Sequence, residues 1–307
     1  MNDFNSSTLP FAQPGRFYRG NLHGHSTNSD GIWSPAEYVR QYRQNGYDFV
    51  ALTDHCLEQY GYPLSDTRQF RSDDFTTLIG AELHPGQIES GSVWHLLAVG
   101  LPLDFETHRE GDTGASVARR VMEAGAFLAA THPDWYCNTV ADFETLDAAD
   151  AIECYNGGAD AGSDRGHNWH YIDMLLHRGH RVGVIAVDDL HAGTAGLGDF
   201  MRGWVQVKAE ALTPEALLRA LKAGHYYAST GPQLHNVEFR AREKLVVECS
   251  PVRQILVTGE QAGALRVSGD GLRGAEFELS DFDSRWLRVT ARAETGGRAW
   301  TNPVWLD

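Results

Sequence analysis

The residues best suited to chemistry are two histidines near the start of the chain. His23 and His25 lie two positions apart at the end of a predicted strand, so both side chains leave the same face. Their imidazole nitrogens could bind one metal ion, although two solvated histidines explain this isolated pair equally well. Asp30 follows in a loop, where it could bind a neighbouring ion or shape an Asp-Gly turn. The pair therefore predicts a metal site only if further ligands reach the same place.

Further metal-type side chains stand at the ends of other apolar runs. His55 follows the run 49–52, and Asp54 beside it could orient an imidazole or cap a helix. Glu82 ends another run, where it could bridge two cations or form a salt bridge at the rim. The remaining members of this set are His95, His132, Asp189 and His191. Each histidine alone could be a core residue, but together they predict a cluster of metal ligands.

Such a set of ligands favours hydrolysis. A water shared by two divalent cations loses a proton near neutral pH, and we expect this metal-bridging hydroxide to be the nucleophile. The cations would also neutralise charge that develops on a phosphoryl or carbonyl oxygen. His191, His84 or a metal-bound water could protonate the leaving group, and His191 is our working assignment for this general acid.

Substrate contacts are expected from groups near predicted strand ends. The polar candidates are Asn156, Ser229 and Thr230. Four aromatic side chains could form an apolar wall for a substrate ring or, as is commoner, belong to the core: Trp94, Trp135, Tyr226 and Tyr227.

The ligands require strands that deliver them to one place. Apolar runs alternate with helices from about residue 16 to 210; one helix is capped by Ser34 and stops at Gly46, and another runs from Thr213 to Gly224. This alternation predicts buried parallel strands, in an open doubly wound sheet or a closed α/β barrel. Ligand candidates follow at least five runs, which favours the barrel.

The chain changes character after residue 231. The runs NVEFR, KLVVECS, QILVTG, AEFELS and WLRVTARA have no helical period and are separated by turn residues. We predict a hydrolase barrel over 1–231 and a small antiparallel, β-sandwich-like domain over 232–307.

The composition restricts the partners. The 307 residues include 26 Lys plus Arg and 41 Asp plus Glu, a formal net charge of −15. This charge disfavours long nucleic acid and leaves a small-molecule ester substrate as the expected partner. The four cysteines lack disulfide or zinc spacing. No signal-peptide or membrane-spanning pattern is found, so we expect a cytoplasmic protein without a membrane partner. The sequence leaves the oligomeric state open.

The ordered motifs HGHSTNSDG, TDH, GAELH, THP and DDLH resemble those of the PHP (polymerase and histidinol phosphatase) metallohydrolase superfamily over about residues 16 to 230. The resemblance implies an α/β fold, a distorted (β/α)7 TIM-like barrel with two or three Zn, Mn or Fe ions. It implies a first ligand group of His23, His25, Glu82 and Asp189, a second of Glu82, His95 and His132, and a third of Asp30, His55 and His191. Some relatives have histidine at the position of Asp30. The resemblance therefore leaves open whether the third ion is bound.

A narrower resemblance concerns the substrate. The stretches IECYNG, DDLH, GHYYASTGP and AWTNPVWL resemble a carbaryl-hydrolase-like branch of the superfamily, named for cleavage of a carbamate, whereas the superfamily mostly cleaves phosphate esters. We therefore expect a small-molecule phosphoesterase, with a carbamate or carboxylic ester hydrolase as the alternative. A remote alternative is a non-catalytic metal-binding module whose β domain recruits a partner.

Overall fold

The structure is a computed structural model of the chain that describes residues 9–146, 148–192, 198–240 and 242–306. The strands before residue 232 are β1 (Arg16–Asn21), β2 (Phe49–Leu52), β3 (His55–Cys56), β4 (Thr76–Leu83), β5 (Leu96–Val99), β6 (Phe127–Ala130), β7 (Ala151–Asn156), β8 (Gly183–Val187), β9 (Trp204–Ala209) and β10 (Tyr226–Ser229). The α-helices are α1 (Pro35–Gln44), α2 (Gly114–Glu123), α3 (Pro133–Tyr136), α4 (Val140–Glu144), α5 (Gly157–Ser163), α6 (Trp169–His177) and α7 (Pro214–Lys222). Short 3-10 helices cover Pro10–Ala12, Glu58–Tyr60 and Arg68–Phe70.

These strands form one large mixed sheet, in the order β10-β9-β1-β2-β4-β5-β6-β7-β8. The pairs β1/β2, β2/β4, β6/β7 and β7/β8 are parallel, as predicted. Two strands were predicted wrongly as parallel: β5 is antiparallel to both neighbours, and β9 is antiparallel to β1. The connection from β4 to β5 contains no helix, so nothing carries the chain back across the sheet for a parallel return.

The predicted closed barrel is not confirmed, because the sheet does not close. A barrel would require β8 to pair with β9, and no such ladder joins them within the described residues. Both edges of β9 are already occupied, one by β1 and the other by β10. The sheet therefore continues through β10 instead of returning to β8.

Two helices begin and end where their sequences predict. The Ser34 side chain accepts a hydrogen bond from Glu37 N at the start of α1, and Thr213 accepts one from Ala216 N at the start of α7. Gly46 follows α1 with a φ of 78°, a conformation that costs glycine no Cβ clash. These residues fix the two ends of α1 and the start of α7.

The segment after residue 232 adds the strands β11 (Leu234–Arg240), β12 (Lys244–Thr258), β13 (Ala264–Glu278), β14 (Trp286–Arg292), β15 (Arg298–Thr301) and β16 (Val304–Trp305). All their pairings are antiparallel, as expected. Strand β15 also pairs with β10, so this module extends the main sheet. The domain boundary at 232 and the sandwich-like form remain predictions.

The core runs across that junction. Trp286 and Trp300 of the module are fully buried in the same apolar cluster as Ala130 of β6 and Ala186 of β8. A membrane crossing needs a longer and more apolar helix than any present in the described segments.

Candidate metal centre

The cluster begins where two distant segments of the chain meet. Asp189 N donates to His23 O at 3.1 Å, and His25 N donates to Leu190 O at 2.8 Å. The segment after β8 therefore lies beside the segment after β1, although β8 and β1 are not neighbours in the sheet. This backbone pairing brings Asp189 and His191 to the first two histidines.

Glu82 lies at the centre of the cluster. Its side chain is fully buried in β4. Six histidines each place a ring nitrogen between 2.5 and 3.8 Å from one of its carboxylate oxygens: His55, His95, His132, His23, His25 and His84. This position fits the bridging role that the resemblance implies.

Two further carboxylates flank Glu82. Asp189 Oδ1 lies 2.9 Å from His25 Nε2 and 3.3 Å from His23 Nε2. Asp30, whose side chain is 40% exposed, lies 3.5 Å from both His55 and His191 on the outer side. The structure thus brings all nine sequence-predicted ligands together.

The described residues contain three groups whose ligand atoms lie within 4.8 Å of one another and could hold a metal ion. The groups are His23, His25 and Asp189; His25, Asp30, His55 and His191; and His55, Glu82, His84 and His95. Each group differs from the set that the resemblance implies. The first lacks Glu82, the second adds His25, and the last contains His55 and His84 but not His132. The number and identity of the ions remain predictions.

Unpaired polar atoms show that the cluster suits cations. Four of its buried imidazole nitrogens have no hydrogen-bond partner within the described residues: His23 Nε2, His25 Nδ1, His84 Nδ1 and His132 Nδ1. Leaving a buried polar atom unpaired costs about 1–3 kcal/mol. His23 Nε2 and Glu82 Oε2 lie 3.5 Å apart, a separation that one ion with bonds of about 2.0–2.2 Å can span. The residues present therefore fit divalent ions.

The carboxylates are held in their ionised form. Burial alone would raise the pKa of Glu82, but the facing His55, His95 and His23 outweigh it and hold this pKa well below its usual range. Burial is likewise outweighed for Asp189, whose histidine neighbours, His23 first, hold its pKa well below the usual range. Both carboxylates are therefore in the form that binds cations.

The imidazoles divide into two kinds. Burial, aided by neighbouring histidines, lowers the pKa of His25 to about 3. Burial also lowers the pKa of His84 to about 3, although Glu82 opposes this shift. Burial lowers the pKa of His55 too, but Glu82 and Asp30 outweigh it and raise this pKa to about 10. The metal-free cluster thus combines neutral imidazoles, ready to bind an ion, with a protonated one.

Two ligand candidates have strained backbones. His132 has a φ of 24° and Asp189 a φ of 51°, in a region that costs residues other than glycine about 1–3 kcal/mol. His132 N is held there by Glu153 Oε2 at 2.7 Å, and Asp189 N by His23 O. The backbone is therefore strained at two of the candidate ligand residues, as is common at functional sites.

Glu153 is a residue of the site that the sequence analysis missed. It is fully buried in β7, and its Oε1 lies 2.7 Å from His23 Nδ1. A carboxylate behind an imidazole fixes the tautomer of the ring and strengthens it as a ligand. The sequence feature that could have identified Glu153 is that it is the single carboxylate in the apolar run 151–156.

The substrate contacts of Asn156 and Ser229 remain predictions, and both side chains are fully buried. The Asn156 amide donates to Glu153 and to Asp189 Oδ2, and accepts from Ala159 N. It therefore positions Asp189. Ser229 Oγ donates to Pro232 O within a turn. The role of Thr230 remains a prediction; its hydroxyl donates to Arg298 O at 3.3 Å.

Asp54 has neither of the roles considered for it. Its buried carboxylate accepts hydrogen bonds from Ser26 N at 2.7 Å and from the hydroxyls of Ser29 and Ser65 at 2.9 Å. These contacts fold the loop that carries Asp30 against the strand ends.

Aromatic side chains line one side of the cluster. Tyr136 stacks on His95 with ring centroids 4.3 Å apart, and Trp135 meets His132 edge-on at 5.3 Å. Both rings are partly exposed. The other proposed members of an apolar wall are buried core residues: Trp94, Tyr226 and Tyr227.

No family model and no curated protein matches this sequence. Solved structures, however, include proteins of similar fold. A two-domain protein from Bacteroides vulgatus, containing a predicted PHP-like metal-dependent phosphoesterase, is similar over 94% of this chain and 97% of its own, at 14% identity and a TM-score of 0.55. A protein from Bifidobacterium adolescentis, assigned as a metal-dependent phosphoesterase, is 14% identical over 58% of this chain and 88% of its own, with a TM-score of 0.39. An amidohydrolase from Chromobacterium violaceum, with bound sulfate, is 13% identical over 56% and 87%, with a TM-score of 0.38. The chain therefore shares the fold of the Bacteroides vulgatus protein along nearly its whole length.

Proposed function

We propose that this chain is a PHP-type, metal-dependent hydrolase that cleaves small-molecule phosphate esters with two or three divalent ions. The observation that carries the proposal is the setting of Glu82, one buried carboxylate with six histidine nitrogens within 3.8 Å. A site built of imidazoles and carboxylates suits Zn, Mn or Fe. The fold shared with a protein that contains a PHP-like phosphoesterase agrees with this assignment.

The ions, when bound, would activate water as a nucleophile and neutralise charge on the ester oxygens. Residues behind the candidate ligands would orient them towards these ions. Glu153 holds His23 by Nδ1, which leaves Nε2 directed at Asp189 and Glu82. Asn156 binds Asp189 Oδ2 and leaves Oδ1 beside the histidines. These contacts fix the lone pairs of the ligands before an ion arrives, which lowers the cost of binding it.

With two ions bound, His191 is our proposed proton donor to the leaving group; with a third ion bound, it would be a ligand and a metal-bound water would donate the proton instead. Its side chain is 27% exposed, and its Nε2 lies 3.5 Å from Asp30 Oδ1 on the outer side of the cluster. It is thus the histidine of this cluster most open to solvent, where a leaving group would depart.

Phosphate esters fit the charges around the site. Within the described residues, every ion-pair partner of Glu82, Asp30 and Asp189 is a histidine. Lysine and arginine therefore do not compete with cations for these carboxylates. Bound ions would supply the positive charge that an anionic substrate needs.

A carbamate or carboxylic ester hydrolase is the second candidate, supported by the partly exposed rings of Trp135 and Tyr136. These rings pack on His132 and His95 and offer an apolar surface beside the cluster for an aryl group. Such a substrate would be neutral and would use the same metal centre.

The test is a panel of an aryl phosphomonoester, an aryl phosphodiester and an aryl carbamate, assayed on protein reconstituted with Mn²⁺, Zn²⁺ or Fe²⁺. Asp189→Asn serves as the matched inactive variant. We expect turnover of a phosphate ester that this variant loses. Carbamate turnover without any phosphatase activity would move the assignment to the second candidate. Metal-loaded protein that is inert to every ester would favour the non-catalytic module.

A further inference from the structure

His84 is the histidine of the cluster to which the motifs assign no ligand role. It follows Glu82 by two positions at the end of β4, so both side chains leave the same face. Its side chain is only 1% exposed, and its Nδ1 has no hydrogen-bond partner within the described residues. Its other nitrogen, Nε2, is the one that faces the cluster.

The distances around His84 are those of a ligand group. Its Nε2 lies 3.8 Å from Glu82 Oε2, and the ligand atoms of His84, Glu82 and His95 all lie within 4.8 Å of one another. An ion bound tetrahedrally at about 2.0–2.1 Å would hold neighbouring ligand atoms about 3.3 Å apart, close to the distance between Nε2 and Oε2. His84 Nε2 also lies 2.9 Å from His55 Nδ1, and a hydrogen bond between these two rings is the competing explanation for its position.

His55 stands between two of the ligand groups and can serve only one of them. Its Nδ1 lies 2.5 Å from Glu82, whereas its Nε2 lies 3.5 Å from Asp30. It belongs to two of the three ligand groups, but a neutral imidazole has a lone pair on only one ring nitrogen. His55 can therefore serve only one ion at a time.

We propose that His84 is a metal ligand, binding the ion that Glu82 and His95 also bind. His55 is then free to serve the outer group with Asp30 and His191, so that both groups can be filled together. An additional imidazole also moves the preference of the Glu82 group towards Zn or Fe and away from Mn. This inference rests on the proposed metal centre and concerns one residue of it.

The test counts zinc per chain after reconstitution and removal of loosely bound metal. It compares wild type with His84→Ala and His84→Asn. His235→Asn is the matched control, since His235 is exposed on β11. We expect both His84 variants to lose about one equivalent of zinc, because metal binding needs the full ligand set, and to change the visible spectrum of the cobalt-substituted protein. The control should keep the wild-type content and spectrum.

The outcomes separate this inference from the proposed function. Wild type that binds no metal would overturn both. Wild type that binds metal, with His84 variants unchanged in content and cobalt spectrum, would overturn the role of His84 alone. If the variants do not fold, anomalous scattering from zinc-loaded wild-type crystals decides the matter. A zinc peak at about 2.0–2.1 Å from a His84 nitrogen confirms the ligand, and zinc peaks confined to the other ligands contradict it.

Discussion

Glu82 is both buried and ionised, a combination that costs several kcal/mol unless surrounding charges compensate it. In the metal-free protein that compensation comes from histidines, since its facing ion-pair partners are imidazoles. Divalent ions carry more charge than these protons and would replace them. Metal content should therefore depend on Glu82 more than on any single histidine.

Glu82→Gln tests this dependence, because it keeps the shape of the side chain and removes its charge. We expect the variant to lose at least one bound ion and its hydrolytic rate to fall about 100-fold or more. Elemental analysis and the ester assay measure both effects. The matched control is Glu248→Gln, whose side chain is exposed on β12. A Glu82 variant with wild-type metal content would show that this carboxylate is not the bridge.

Glu153→Gln tests the support behind the ligands. The variant loses the charge that lies 2.7 Å from His23 Nδ1, so the ring is less well oriented and a weaker ligand. We expect metal affinity to fall about 10- to 100-fold, as measured by competition with a chromophoric chelator. The exposed Glu238→Gln on β11 is the control. An affinity unchanged by Glu153→Gln would reduce this residue to a packing role.

Metal binding should release protons. Burial lowers the pKa of His55, but Glu82 and Asp30 raise it to about 10, and the carboxylates around His23 raise its pKa well above the usual range despite burial. A raised pKa means that these rings carry a proton at pH 7 that a metal must displace. Metal affinity should therefore increase as pH rises towards 10. Calorimetry in buffers of different ionisation enthalpy measures the release, and identical heats in all buffers would contradict it.

The site also depends on how the loop 26–33 is held. Asp54 accepts hydrogen bonds from Ser26, Ser29 and Ser65. A Cβ on Gly31 would approach His25 O to 2.4 Å, so only glycine fits this close approach to the ligand strand. The loop is thus fastened at both ends around Asp30.

Asp54→Asn tests this fastening. The amide can accept fewer hydrogen bonds than the carboxylate, so we expect a loss of about 1–3 kcal/mol in the free energy of unfolding, measured with urea. Binding of the ion at Asp30, His55 and His191 should weaken as well. Asp73→Asn, at an exposed position, should change neither quantity. Equal stability of the Asp54 variant and wild type would show that the loop holds without these bonds.

The meeting of the candidate ligands could be predicted from the sequence because strand alternation fixes which side chains share a face. His23 with His25, and Asp189 with His191, follow directly from a spacing of two. Strand direction could not be predicted, because apolar runs show that strands exist without showing their partners. The sheet stays open because β10 occupies the edge of β9 that closure requires, a contact distant in sequence. The contact of Asn156 with Asp189 could not be predicted either, because the two residues are distant in sequence.

The C-terminal strands are joined to the preceding part of the chain by more than a linker. Asn302 Oδ1 accepts from Val184 N at 2.8 Å, and its amide donates to Gly224 O and Tyr226 O. Trp300 lies in the core shared by both parts. The two parts should therefore unfold together.

Asn302→Ala should lower the free energy of unfolding by about 1–3 kcal/mol, because it leaves buried backbone groups unpaired. Urea unfolding followed by tryptophan fluorescence and by circular dichroism should give coincident transitions for wild type. The exposed His235→Asn should leave the midpoint unchanged. Two separate transitions would show that residues 232–307 fold as an independent domain.

The metal content of the wild-type protein, determined by elemental analysis after reconstitution and removal of free metal, decides whether the cluster is a metal centre. Glu82, with the three ligand groups around it, predicts two or more equivalents of a divalent ion per chain. Protein that retains no ion under these conditions would contradict the metal centre and the hydrolase built on it.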